Sequence, residues 1–142
     1  MKSMMVAGAL ILTVGAALAQ APARTVWDGV FSAEQVESGK IFYDRKCDSC
    51  HGAQLTGMEM SPGLEGSAFL ANWSGQTLGD LATRIKTTMP ANDPGNINSR
   101  QTADVIAYVL SVNKFPAGGT ALPGDAQILG QISIVAEKPA GK

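Results

Sequence analysis

Histidine occurs once in this 142-residue chain and cysteine only twice. A closed structural zinc site takes four Cys or His ligands, and the chain offers three, Cys47, Cys50 and His51, within one short stretch. Charge is also sparse at 16% and nearly balanced, 11 basic against 12 acidic residues, with no Lys/Arg run to serve as a polyanion footprint. Nucleic acid is therefore not an expected partner. There is no internal repeat, and no convincing strand is found before residue 128. Past residue 18 nothing approaches the roughly 20 apolar residues of a membrane span, so no integral span is expected in the mature chain. With 45% hydrophobic residues, the length suits one folded domain.

What is present begins with an address. Lys2 precedes an apolar run from Met4 to Leu18 that ends in Ala17-Leu18-Ala19, the pattern of a cleavable secretory signal over 1–19. The run is short for a span, so removal is expected rather than a retained anchor, and the mature chain starts near Gln20. Losing Lys2 takes the net charge from −1 to −2. Export, here to the periplasm, places both cysteines where thiols oxidise unless something captures them.

Three helices are legible. Ser32 and Gln35 form a capping-box pair, with Phe31 placed to staple onto Val36, and the helix they start runs toward Cys47. Val36, Gly39 and Tyr43 share one stripe of it. An interior glycine costs about 1 kcal/mol against alanine, so Gly39 is either a close helix crossing or an incidental surface position. From Gly52 to Gly75 the chain is rich in Gly, Ser and Pro, and its large apolar residues show no sustained period, which predicts a loop with one helical turn. Thr77, with Asp80 after it, caps a second helix with Leu78, Leu81 and Ile85 on one face; Pro90 ends it at or before Met89. After the turn Asn92-Asp93-Pro94-Gly95, Ser99 is the expected N-cap of a third and most apolar helix, reaching Asn113. Phe115-Pro116-Ala117-Gly118-Gly119 breaks it. The tail is expected to drape over the domain, with an extended segment at Gln131 to Val135.

The strongest signal is Cys47-Asp48-Ser49-Cys50-His51, the C-x-x-C-H pattern of covalent c-type haem attachment. Cysteines at i and i+3 lie about one turn apart on one helix face, so two thiols can reach two vinyl groups on one porphyrin edge, and the adjacent imidazole can meet the iron. His51, the sole histidine, is the only imidazole the chain can supply. A disulfide or thioredoxin-like pair is the competing reading, but such sites need a βαβ setting that the sequence does not supply.

From the helix before Cys47 through the helix ending near Asn113, the sequence resembles class I cytochrome c. That resemblance implies a small all-α fold of three or more helices around one covalent haem c, and a Met as second axial ligand on a loop before the last helix. Met89, in Thr88-Met89-Pro90, matches it. The following proline disfavours the α conformation at Met89 and turns the chain out of the helix. The other thioethers left after signal removal, Met58 and Met60, lie close behind His51 and could cross the haem only by displacing the intervening loop. The resemblance further implies that the Pro62 carbonyl orients His51, that Leu64 packs on the haem face, and that Trp73 hydrogen-bonds a propionate. It also implies a close crossing of first and last helices, pairing Gly39 with the stripe carrying Tyr108. The residues Pro62-Gly63-Leu64-Glu65-Gly66, Phe69, Asn72-Trp73, Arg84 to Pro90 and Ala107-Tyr108 are similar to cytochrome domains serving pyrroloquinoline-quinone dehydrogenases.

The expected layout is a signal peptide over 1–19, an N-terminal extension over 20–31, a cytochrome c domain over 32–115 and a Pro/Gly-rich tail over 116–142. The expected function is single-electron transfer, without catalysis of its own, by a monomer or a subunit of a transient complex. Its expected partners are a quinoprotein dehydrogenase and a terminal oxidase or another cytochrome. Two rivals stay open: a haem enzyme or gas sensor with a free sixth iron position, and a thiol-disulfide oxidoreductase.

Overall fold

Short-range capping chemistry fixes where most of the helices begin. The computed structural model describes residues 24–141; the expected signal segment 1–19 and the start at Gln20 lie outside the described residues. In chain order the elements are β1 (Arg24–Thr25), α1 (Ala33–Lys46), α2 (Asp48–His51), α3 (Gly66–Trp73), α4 (Leu78–Thr88), α5 (Ser99–Val112), α6 (Ala126–Leu129) and β2 (Ile132–Ser133). The fold is all-α, the strands among the described residues being a single parallel pair of two residues each.

At the start of α1 the Ser32 hydroxyl accepts from the Gln35 N–H while the Gln35 side chain accepts from the Ser32 N–H. Thr77 and Asp80 repeat the device for α4. For α5 the N-cap is Asn98, not Ser99 as the sequence suggested. Asn98 and Gln101 satisfy each other's N–H groups, which makes Ser99 the first helical residue. Its hydroxyl turns instead to the Lys86 ammonium, 2.9 Å away, bridging the ends of the 89–98 loop.

Three further departures concern weak local signals. The stretch expected to hold one helical turn holds α3, with eight residues. Its N-cap Glu65 makes no side-chain cap; the Gly66 N–H is satisfied from afar by Asn113 Oδ1 at 2.8 Å. A strand does occur before residue 128, because β1 finds its partner β2 at the far end of the chain. The tail carries α6, capped by the Asp125 carboxylate, ahead of the extended segment.

The core forms where α1 crosses α5. A Cβ on Gly39 would overlap the Asp104 carbonyl oxygen and lie 2.6 Å from its carbon and 2.9 Å from Tyr108 Cβ. Only glycine allows that approach. Tyr43 and Tyr108 then meet with ring centroids 5.4 Å apart.

The tail closes over this pair of helices through the same glutamine that caps α1. Gln35 donates to the Leu122 carbonyl at 2.9 Å and accepts from the Leu122 N–H at 2.6 Å, while Leu122, Leu129, Ile132 and Ile134 are buried in the core. Gln35→Ala is expected to cost about 2 kcal/mol, about 1 for each lost buried bond, with the lost cap adding to it. Urea melts check this; a loss below about 0.5 kcal/mol would mean that the tail is held by other contacts.

Candidate haem-attachment site

Cys47 is the hinge between two helices, ending α1 by donating its N–H to the Tyr43 carbonyl at 2.8 Å and then opening the single turn of α2. The His51 N–H returns to the Cys47 carbonyl at 2.9 Å. Cys47 is half-buried, Cys50 is exposed, both are free thiols, and His51 is 8% exposed. Gly52, at φ +80°, carries the chain out of the turn, and the Tyr43 hydroxyl donates to its carbonyl at 2.7 Å. Burial, reinforced by the neighbouring Cys47, raises the Tyr43 phenol well above its ordinary range, so it stays a donor.

The loop after Gly52 folds back on the imidazole. The Gly57 N–H reaches the His51 carbonyl at 2.9 Å, Met58 and Ser61 exchange backbone hydrogen bonds, and the Leu64 N–H closes onto the Leu55 carbonyl at 2.7 Å. Leu55 itself sits at φ +61° while 1% exposed, an unfavourable backbone held by its burial. Gly57 is at φ +83°, and a Cβ there would stand 2.6 Å from the Gly63 nitrogen and 2.9 Å from the Pro62 carbonyl carbon. The outcome is a distance of 2.9 Å between His51 Nδ1 and the Pro62 carbonyl oxygen. A carbonyl only accepts, so Nδ1 carries the proton and the Nε2 lone pair is left available.

The remaining candidates stand on other elements. Leu64 is half-buried against the core, its carbonyl accepting from Asn113 Nδ2 at 2.9 Å. Trp73 closes α3, half-buried, and lines a shallow groove of about 380 Å³ with Arg84 and Thr88. Met89 is the half-buried C-cap of α4 in extended backbone, φ −120° and ψ 152°. Its peptide to Pro90 is cis. Met58 and Met60 are 58% and 95% exposed. The structure thus joins His51 directly to Pro62 and, through the Leu55 backbone, ties Leu64 to the same loop. Trp73 and Met89 come from the ends of α3 and α4, and Trp73 shares its groove with Thr88, the residue before Met89.

Sequence reasoning missed three contributors. Tyr43 was assigned only to an apolar stripe, Asn113 only to a helix end, and Gly57 not at all. A tyrosine four residues before Cys47, hydroxyl included, was a usable signal; the closeness of Gly57 to Gly63 was not.

The donor set fits a covalently held porphyrin better than a redox-active thiol pair or a closed zinc site. Burial first, then Asp48 and Cys50, pushes the Cys47 thiol up to about 11, the opposite of the lowered value a redox-active thiol needs. Among the described residues no group of three or more His, Cys, Asp or Glu side chains is placed to hold a metal ion. An imidazole with one nitrogen committed to a main-chain carbonyl, one thiol a turn before it and another next to it, and a fold of crossing helices define a c-type cytochrome of class I.

The chain belongs to the family described as cytochrome C oxidase, cbb3-type, subunit III, whose model matches residues 34–109. Among solved structures it is similar to the sulfane dehydrogenase SoxCD from Paracoccus pantotrophus, with 18% identity and a TM-score of 0.52 over 75% of this chain. The chain covers 61% of that SoxCD chain, and the likeness is one of fold. No curated protein matches the sequence.

Proposed function

We propose that this protein is a single-electron carrier of the periplasm, exported by a signal peptide over 1–19 that is cleaved after Ala19. Cys47 and Cys50 would hold one haem c through their sulfurs, and His51 Nε2 and Met89 Sδ would bind its iron. The observation that carries the reading is the buried His51 ring, locked to the Pro62 carbonyl with Nε2 left for iron. When bound, the haem supplies a ferrous/ferric couple.

The chain's residues tune and protect that couple. The hydrogen bond to Pro62 fixes the tautomer of His51 and raises its basicity. The Met89 thioether favours ferrous iron and raises the potential. Leu64 offers an apolar face, and Trp73 Nε1, which makes no hydrogen bond among the described residues, can donate to a propionate. With His51 and Met89 both holding the iron, no substrate would coordinate it, which suits transfer between a quinoprotein dehydrogenase and a terminal oxidase or another cytochrome. It works as a monomer or as a subunit of a transient complex, and among the described residues no helix is long and apolar enough to cross a membrane.

The test is the full chain matured in a c-type system. A mass increase of one haem, colour that survives acidified organic solvent, and a ferric Met-to-iron charge-transfer band are expected. Met89→Ala should abolish the band and let the reduced protein bind carbon monoxide. Wild-type protein that lacks the band and binds carbon monoxide at once would instead be a haem enzyme or sensor. Colour stripped completely, with two alkylatable thiols left, would refute covalent attachment altogether.

A further inference from the structure

The loop that closes on the His51 ring carries the most exposed apolar side chains of the described residues. Met60 is 95% exposed and Met58 is 58% exposed, held out on a tight turn in which the Met58 and Ser61 backbones bond each other at 3.0 and 2.9 Å. Scattered exposed apolar residues are ordinary. These two are not scattered: they share one turn, and Cys50, Ala53, Thr56 and Pro62 of the same segment are exposed as well. Flexible, polarizable thioethers adapt to a partner surface better than branched side chains do.

The charge along this part of the sequence has one sign, with Lys114 brought in beside Glu65 by the bonds of Asn113 to Leu64 and Gly66. From Cys47 to Thr83 the chain has no lysine or arginine, while Asp48, Glu59, Glu65 and Asp80 fall within that span. Glu59 and Glu65 are the only charges between Ser49 and Ala68, and Glu59 separates the two methionines. The nearest cations in sequence, Arg45 and Lys46, belong to the last turn of α1, where they complement its dipole. Two exposed thioethers with an exposed carboxylate, Glu59, between them are complementary to an apolar patch that carries lysine or arginine.

We infer that the Met58–Ser61 turn is the docking surface for a basic redox protein, which places the partner against the loop that touches the haem-ligating imidazole. This rests on Cys47, Cys50 and His51 holding the haem. Contact there puts the partner one short loop from His51, through the Pro62 carbonyl and the Gly57 N–H. Thioethers release a partner readily because they bring no fixed polar geometry, as a carrier that must dissociate after each electron requires.

The test uses the holo-protein and, as probe, a basic cytochrome c with a lysine-rimmed haem edge, with electron transfer followed by stopped flow. Raising salt from about 10 mM to about 300 mM should slow the second-order rate about tenfold or more. At low salt, the Met58→Gln/Met60→Gln double variant and, separately, Glu59→Lys should each lose about tenfold. Glu37→Lys, on an exposed position of α1, should stay within about twofold of wild type. Visible spectrum and reduction potential should be unchanged in all variants, so that lost docking is separated from lost haem. A rate that rises with salt, or turn variants as fast as wild type, would overturn the inference. So would sedimentation showing that the methionine variant splits a dimer, since the turn would then serve a second copy of this chain. Wild-type protein without covalent haem would fail the proposed function before any kinetics were run.

Discussion

Gly39→Ala is expected to lower the unfolding free energy by about 3 kcal/mol, a large share of the roughly 5–15 kcal/mol that holds a domain of this size. On helix propensity alone the change should stabilise by about 1 kcal/mol. The added carbon, however, would coincide with the Asp104 carbonyl oxygen. A backbone carbonyl inside α5 cannot rotate aside, so the two helices must part. Separation loosens the Tyr43–Tyr108 contact and with it the hydroxyl that supports the Gly52 carbonyl after His51. Urea melts of the variant against Ser38→Ala, an exposed α1 neighbour, measure the effect. An unchanged or raised midpoint for the Gly39 variant would mean that the crossing tolerates a side chain, and the packing account would be wrong.

Gly57→Ala carries the second large effect, and it reaches the site as well as the fold. The residue sits at φ +83°, which costs an alanine about 1 kcal/mol or more, and its Cβ would press on the Gly63 nitrogen, the Ser61 oxygen and the Pro62 carbonyl carbon. Strain and overlap together are expected to remove about 3 kcal/mol. Because the displaced segment contains the carbonyl facing His51 Nδ1, the imidazole loses its acceptor, and the ferric charge-transfer band of holo-protein should weaken or shift. Gly119→Ala is the control, since nothing lies within 4 Å of a Cβ there. A Gly57 variant with wild-type midpoint and spectrum would show that the loop can move without carrying Pro62 along.

The same two glycines mark where the sequence was legible and where it was not. Helices α1, α4 and α5 announce themselves through caps and apolar spacing, which are properties of adjacent residues. The misplaced cap at Ser99 was recoverable, because Asn98 and Gln101 stand three apart and satisfy the capping box that Ser99 does not. Helix α3 was under-read for a different reason. Its first N–H is satisfied by Asn113, from the end of α5, and its Glu65 cap makes no side-chain bond. Strand β1 likewise exists only by virtue of β2. Within the site, Cys47-x-x-Cys50-His51 is a local pattern and was read directly, and Pro62 was suggested by resemblance alone. Gly57 left no trace, since its requirement arises from a loop crossing itself, which no periodicity encodes.

The parallel pairing of Arg24–Thr25 with Ile132–Ser133 has a mechanical meaning as well. Paired strands lie roughly 5 Å apart, so the first and the last strand of the described residues are clasped side by side and point the same way. A pull applied ahead of Arg24 and another applied past Ser133 would meet at this clasp. Tension between them would pull from opposite ends of the pair and load its hydrogen bonds together, in shear, rather than one after another.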